Sequence, residues 1–192
     1  MIRLITIYLL MLNPISLLGV STGDSLIMEG ARAFYNYDFD RSIKILNIAR
    51  IQYPTHPGVH FIWASAKYYI SQARDETIVT YDTLTNSLDH IDPIYEKLVA
   101  DYPNNQGYKL YFGSSKGLRA RSSLGKKEWI SVLMQSYTGF KIIREVANKN
   151  PEMIDAQLPI GIVEYYASIS NPIIKFLVNI YGLDASKDSA LE

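Results

Sequence analysis

The chain contains no cysteine. That excludes disulfides, thiolate metal sites and cysteine nucleophiles, and it leaves the compartment open. A surplus of either charge is also missing: Lys plus Arg and Asp plus Glu each count 19 among 192 residues. A dedicated nucleic-acid binder carries a basic excess, so nucleic acid is not an expected partner. No segment alternates apolar and polar residues with a period of two, so essentially no sheet is expected. The sequence has no nucleophile elbow, no paired-carboxylate spacing and no metal-ligand run. No cofactor and no bound metal is expected. Apolar residues still make up 48 % of the chain and charged residues 20 %, a balance that allows an ordinary buried core.

The N-terminus bears on the compartment. It carries a short apolar run, Leu4 to Leu18, interrupted by Pro14 and shorter than the roughly 20 residues a membrane-spanning helix needs. Arg3 is the only charge before Asp24, and the small residues Gly19, Ser21 and Gly23 follow the run. A positive start, a short apolar stretch and a small-residue exit predict a secretory signal peptide over residues 1–21, cut after Ser21. An uncleaved anchor is the competing reading. With no cysteine near the cut, lipoprotein attachment is excluded.

Beyond that segment, from residue 22 to Glu192, the chain carries a repeat. Tyr53-Pro54-Thr55-His56, Tyr102-Pro103-Asn104-Asn105 and Asn150-Pro151-Glu152-Met153 each follow one helical pattern and precede another. Their prolines lie 49 and 48 residues apart (103 − 54 and 151 − 103). A period of that size predicts an all-α, right-handed αα-solenoid of stacked antiparallel hairpins, with about seven to eight helices, since no hairpin can bury its face alone. The expected helices cover roughly 25–35, with Asp24 as cap, then 39–52, 59–72, 88–101 starting in earnest near Pro93, 107–122, ended by Gly125, 129–147, 154–168, kinked or delayed by Pro159, and 173–181. The polar stretch from Ala73 to Asn86 reads as a long connection. The sixth helix has the clearest pattern, with Trp129, Val132, Leu133, Ser136, Tyr137, Phe140, Ile143 and Ala147 at helical spacing. The last helix is apolar nearly all round, through Ile173, Ile174, Phe176, Leu177, Val178 and Ile180. A terminal solenoid helix normally shows a polar outer face. The array is therefore expected to continue past Glu192, or this face meets a partner or a membrane.

The first hairpin resembles a tetratricopeptide unit. Gly30, Ser42, Ala49 and Pro54 fall on that motif's small, small, Ala and Pro positions, and Leu46 takes a large apolar one. Glu29 and Ala33 depart from it. The chain beyond residue 21 also resembles a group of exported bacterial tetratricopeptide-like proteins. The carrying residues are Tyr35-Asn36-Tyr37-Asp38-Phe39-Asp40, Tyr53-Pro54-Thr55-His56-Pro57-Gly58, Phe112-Gly113-Ser114-Ser115-Lys116-Gly117 and Gly161-Ile162-Val163-Glu164-Tyr165-Tyr166, the last preceded by Asp155-Ala156. The resemblance implies a helical repeat domain exported to the periplasm or cell envelope. It implies no reaction.

Three groups of residues are candidates for function. His56 and His60 are four apart, as zinc ligands on a helix are, but Pro57-Gly58 separates them and no third ligand is evident; a helix-start histidine and a packed one are expected. Lys116, Arg119, Arg121, Lys126 and Lys127 form a basic cluster around Gly117 and Gly125. It lacks the spacing of a phosphate loop. It reads either as a site for an acidic partner or anionic lipid headgroups, or as a solvated helix end. Tyr35, Tyr69 and Tyr165 are candidates for flat, amphipathic contact with an extended peptide along the concave face of a solenoid. The expected function is a non-enzymatic scaffold binding a protein or peptide. The alternative is a peripheral membrane or lipid-binding module that uses the last helix and the basic cluster.

Overall fold

The computed structural model describes residues 23–169, with side chains through residue 161. The predicted signal peptide and the predicted helix at 173–181 lie outside the described residues. The described residues hold helices and no strand: α1 (Asp24–Tyr35), α2 (Phe39–Gln52), α3 (Val59–Arg74), α4 (Thr77–Asp101), α5 (Gln106–Gly125), α6 (Trp129–Lys149) and α7 (Ile154–Ile169). Each packs on its neighbours in sequence, and contacts also link α1 to α3 and α3 to α5. The short connections make consecutive helices antiparallel hairpin partners.

Residues 77–86 are helical, not a connection. Only Asp75 and Glu76 separate α3 from α4. The polar residues that suggested a loop satisfy themselves inside the helix: the hydroxyls of Thr80, Thr85 and Ser87 donate to the carbonyls of Glu76, Tyr81 and Thr83 at 3.1, 2.8 and 2.8 Å. A buried stripe of Leu84, Leu88, Ile91, Tyr95 and Leu98 drives the helix. Pro93 lies within it instead of near its start. An interior proline costs about 3 kcal/mol, but each large stripe residue returns roughly 1.5–3 kcal/mol on burial. Pro93 also lies on the exposed side, where water can reach the Asp89 carbonyl that it leaves without a donor.

Other local expectations shift in the same way. Asp24 does not cap α1. Gly23 holds the cap position, and the Asp24 carboxylate is turned to His56. Asp38 does cap α2, accepting from the Arg41 amide at 3.3 Å, and Asn105 caps α5, accepting from the Tyr108 amide at 3.1 Å. Gly125 is the last residue of α5, not its breaker. A side chain there would strike the Tyr81 ring. The chain turns at Lys127, in the left-handed region at φ 61°. α7 runs through Pro159 from Ile154.

The turns repeat more faithfully than the sequence does. At the ends of α2, α4 and α6, the capping residues Tyr53, Tyr102 and Asn150 share nearly one conformation (φ −131, −129 and −137°; ψ 59, 67 and 76°). Their amides donate to Ala49, Leu98 and Val146, and the amides three residues on, of His56, Asn105 and Met153, donate back to Tyr53, Tyr102 and Asn150. At the opposite ends, the α1–α2 and α5–α6 turns match each other, while the α3–α4 turn at Asp75 and Glu76 is extended. Tyr37 (φ 62°) and Lys127 (φ 61°) occupy equivalent left-handed positions. Their amides donate to Phe34 and Leu124, and the next amides, of Asp38 and Glu128, donate to Ala33 and Ser123. A non-glycine residue in that conformation costs about 1 kcal/mol, which these paired bonds help offset.

Buried side chains form two clusters. The larger joins α1 to α4 through Ile27, Leu46, Ala49, Val59, Trp63, Tyr68, Leu84, Leu88, Ile91, Tyr95 and Leu98. The smaller joins α5 to α7 through Leu110, Ile143, Val146, Ala147 and Ala156. α6 departs from its pattern. Ile143 and Ala147 are buried and Phe140 partly so, but Trp129, Leu133 and Tyr137 are exposed.

Candidate functional site

The predicted basic cluster is not a free cationic surface. Arg119 donates to Asp89 at 2.7 Å and, through Nε and Nη2, to Asp92 at 3.2 and 2.9 Å. Lys116 lies 3.4 Å from Glu96 and 3.6 Å from Asp92, and Lys126 lies 3.1 Å from Asp82. Arg121 donates to the Tyr68 hydroxyl at 3.1 Å. Lys127 alone of the five makes no such contact among the described residues. The acids line one side of α4 and the bases one side of α5, so the cluster is a seam between two helices. Local charge patterning does not show the seam, because Asp82 lies in the stretch that reads as a connection and Asp89, Asp92 and Glu96 lie on a different helix from the bases. A count of i, i+3 and i+7 carboxylates at Asp89, Asp92 and Glu96 would have found its acidic side.

The two histidines do not converge. His56 receives the Gly58 amide on Nδ1 at 3.2 Å, so its Nε2 carries the proton and donates to Asp24 at 2.7 Å. His60 is 2 % exposed. Its Nδ1 accepts from Arg50 Nε at 3.0 Å and its Nε2 donates to the Pro54 carbonyl at 2.7 Å. Burial pushes its pKa below the ordinary value, against the opposing pull of that carbonyl. Arg50 in turn stacks on Trp63, its guanidinium carbon 3.6 Å from the ring centroid. Among the described residues, no three His, Asp or Glu side chains are grouped to hold a metal ion.

Two of the three candidate tyrosines are brought together. Tyr35 ends α1 and Tyr69 lies on α3, and Phe34 joins them, its ring centroid 5.4 Å from Tyr35 and 5.6 Å from Tyr69. Phe39, at the start of α2, stacks on Tyr69 at 6.2 Å and meets Tyr37 at 6.0 Å. Tyr68 and Tyr81 extend the ring chain toward Arg121. Tyr35 is 77 % exposed, Tyr37 83 % and Tyr69 45 %, so a half-buried base of phenylalanines presents tyrosines to solvent. Asp40 and Arg74 form a two-pronged pair beside it, at 3.2 and 2.6 Å. That hydrogen bond holds the Asp40 carboxyl below its usual range. The patch sits at the turn end of the first hairpins. Tyr37, Phe34 and Phe39 were not among the sequence candidates, although three aromatics flanking one turn were there to be read. Tyr165 lies on α7, and its side chain is outside the described set.

No protein-family model, curated protein or solved structure matches the chain. The class of protein defined by the described residues is thus an all-helical one of sequential antiparallel hairpins.

Proposed function

We propose that this protein is an exported, non-enzymatic scaffold, a tetratricopeptide-like right-handed solenoid of the bacterial envelope that binds a protein or peptide through its exposed aromatic patch. The carrying observation is the joined Tyr35–Phe34–Tyr69 cluster with Tyr37 at its rim. Aromatic side chains with a fixed base and a wet hydroxyl lose little entropy on binding and anchor many interfaces. The solenoid reading draws support from the matched turns after α2, α4 and α6, from the matched α1–α2 and α5–α6 turns, and from contacts that run between near neighbours in sequence. A binding role over chemistry is favoured because His60 and Tyr95, both shifted by burial, are engaged with backbone groups. The lipid-headgroup alternative loses much of its basis, since Lys116, Arg119 and Lys126 are paired with acids of α4.

Site-specific photo-crosslinking in the native cell tests the reading. A photoreactive phenylalanine at position 35 or 69 should yield a discrete adduct with another protein, whereas one at the exposed Ile51 should not. Equal labelling at all three positions, or none at 35 and 69, would remove the patch as a binding surface. Cleavage after Ser21 should leave Thr22 as the N-terminus of the envelope-fractionated protein.

A further inference from the structure

Two cations of α2 and α3 share one tryptophan ring and have no acid between them. The guanidinium carbon of Arg50 lies 3.6 Å from the Trp63 ring centroid, and the Lys67 ammonium lies 4.8 Å from it. The two charges are therefore less than about 9 Å apart, comparable with the screening length of about 8 Å at physiological salt, so they repel. Among the described residues, no carboxylate forms an ion pair with either. Arg41, Arg74 and Arg119, by contrast, each meet an Asp or Glu, at 2.8, 2.6 and 2.7 Å. The acids of α4 do not serve here, because Asp82, Asp89, Asp92 and Glu96 are paired with Lys126, Arg119 and Lys116 of α5. Burial holds the Arg50 pKa below its ordinary value, and no carboxylate pulls it back.

The donors around this ring are held in place. His60 keeps its Nε2 proton on the Pro54 carbonyl, so its Nδ1 accepts from Arg50 Nε at 3.0 Å. That bond and the ring beneath orient the guanidinium, whose Nη1 and Nη2 donate to nothing among the described residues. The Asn47 Oδ1 accepts from Trp63 Nε1 at 2.8 Å, which leaves the Nδ2 hydrogens as its remaining donors. Asn47 and Arg50 stand three apart on α2, and Trp63 and Lys67 four apart on α3, so each pair shares a helix side. Asn47 is exposed, Arg50 and Lys67 are half-buried, and Trp63 is buried. Donors within reach of water thus surround an apolar floor.

We propose that Asn47, Arg50 and Lys67 bind a phosphate group. Two cations without an acid match a dianion, and a phosphate monoester carries a charge of about −1.5 to −2 at neutral pH. The two terminal nitrogens of Arg50 form a fork that fits two oxygens of such a group. Lys67 and Asn47 supply donors to the others. A singly charged carboxylate would leave one cation uncompensated. The anion also offsets the desolvation of the half-buried guanidinium. His60 and Trp63 are positioning residues, since they hold Arg50 and Asn47 and not the ligand. The site lies toward the Pro54 end of α2, away from the Tyr35–Tyr69 patch, and does not rest on the reading of that patch.

The indole N–H resonances of Trp63 and Trp129, the only two tryptophans, report on the site and on a control position in α6. Titrating inorganic phosphate into the full chain at fixed pH and ionic strength should shift the Trp63 resonance saturably and leave that of Trp129 in place. Lys67→Gln should weaken the binding about tenfold. Asn47→Asp keeps an oxygen for Trp63 Nε1, so the packing is retained, but it sets a carboxylate beside the two cations and should abolish the response. Vesicles of phosphatidic acid separate two sources of the same chemistry. A response to inorganic phosphate assigns the site to a free ion or a soluble ester, and a response to the vesicles alone assigns it to a lipid headgroup. No saturable Trp63 shift with either probe, an equal shift with chloride, or unaltered binding in either variant would overturn the proposal.

Discussion

The backbones of Gly113 on α5 and Gly139 on α6 touch: a Cβ built on Gly139 would lie 2.7 Å from the Gly113 carbonyl oxygen, and one on Gly113 would lie 3.1 Å from that of Gly139. Backbone cannot rotate aside as a side chain can, so Gly139→Ala should part the two helices. The helix-propensity gain of about 1 kcal/mol is smaller than the overpacking cost of about 1–3 kcal/mol, and urea unfolding should show a net loss of stability. Gly117, one turn from Gly113, has nothing within 4 Å of its would-be Cβ. Gly117→Ala should stabilise the protein by about 0.5–1 kcal/mol.

Along the α4–α5 seam, burial grades the ion pairs. Asp92 is buried, and its Oδ1 has no partner while Oδ2 receives Arg119. Arg119→Ala should cost about 3 kcal/mol, because it strands a buried carboxylate with only Lys116 near it. Lys126→Ala breaks a pair with the exposed Asp82 and should cost under about 1 kcal/mol. The two variants should separate in thermal melts, with the Lys126 contribution fading in high salt.

Tyr95 should behave as a keystone between α4 and the turn before α3. Its hydroxyl accepts from the Phe61 amide at 3.0 Å and donates to the Pro57 carbonyl at 2.7 Å. Burial raises its pKa well above the usual value, so it stays protonated and keeps both bonds across the neutral range. Tyr95→Phe deletes one oxygen and orphans two backbone groups, a loss of about 1–3 kcal/mol for each that water cannot reach. Hydrogen exchange at the Phe61 amide should accelerate.

His60 gives the protein a signed pH response. Its folded pKa is depressed by burial, so between that value and the unfolded 6.5 the unfolded chain binds the extra proton. Stability is fully present above pH 6.5 and falls on acidification, by up to about 1.36 kcal/mol per pH unit from this group, until the folded pKa is passed. Protonation would also set a positive charge on Nδ1 against Arg50. His60→Gln should flatten that part of a stability profile measured between pH 4 and pH 7.

Much of the fold was legible because proline and helical periodicity act locally. α2 runs from Phe39 to Gln52 as its pattern required, and the turns at Pro54, Pro103 and Pro151 fall where the prolines stand. The first turns of α4 are not legible in the sequence, because Thr and Ser can satisfy their hydroxyls either in a turn or on the i−4 carbonyl, and composition does not choose between the two. The site was legible in part. Tyr35 and Tyr69 read as amphipathic surface groups from the sequence, but their union needs Phe34 between them. The basic cluster was visible as charge, while its neutralisation depended on acids some 20 to 44 residues away in sequence, from Glu96 with Lys116 to Asp82 with Lys126.

The sequence by itself determined the helical class, the hairpin punctuation and the absence of thiol chemistry, since each follows from backbone sterics or side-chain inventory. Only the tertiary structure decided which charges are paired and which rings share a patch. Those outcomes depend on which helix lies against which, and packing across the hairpins sets that through long-range burial that no local pattern encodes.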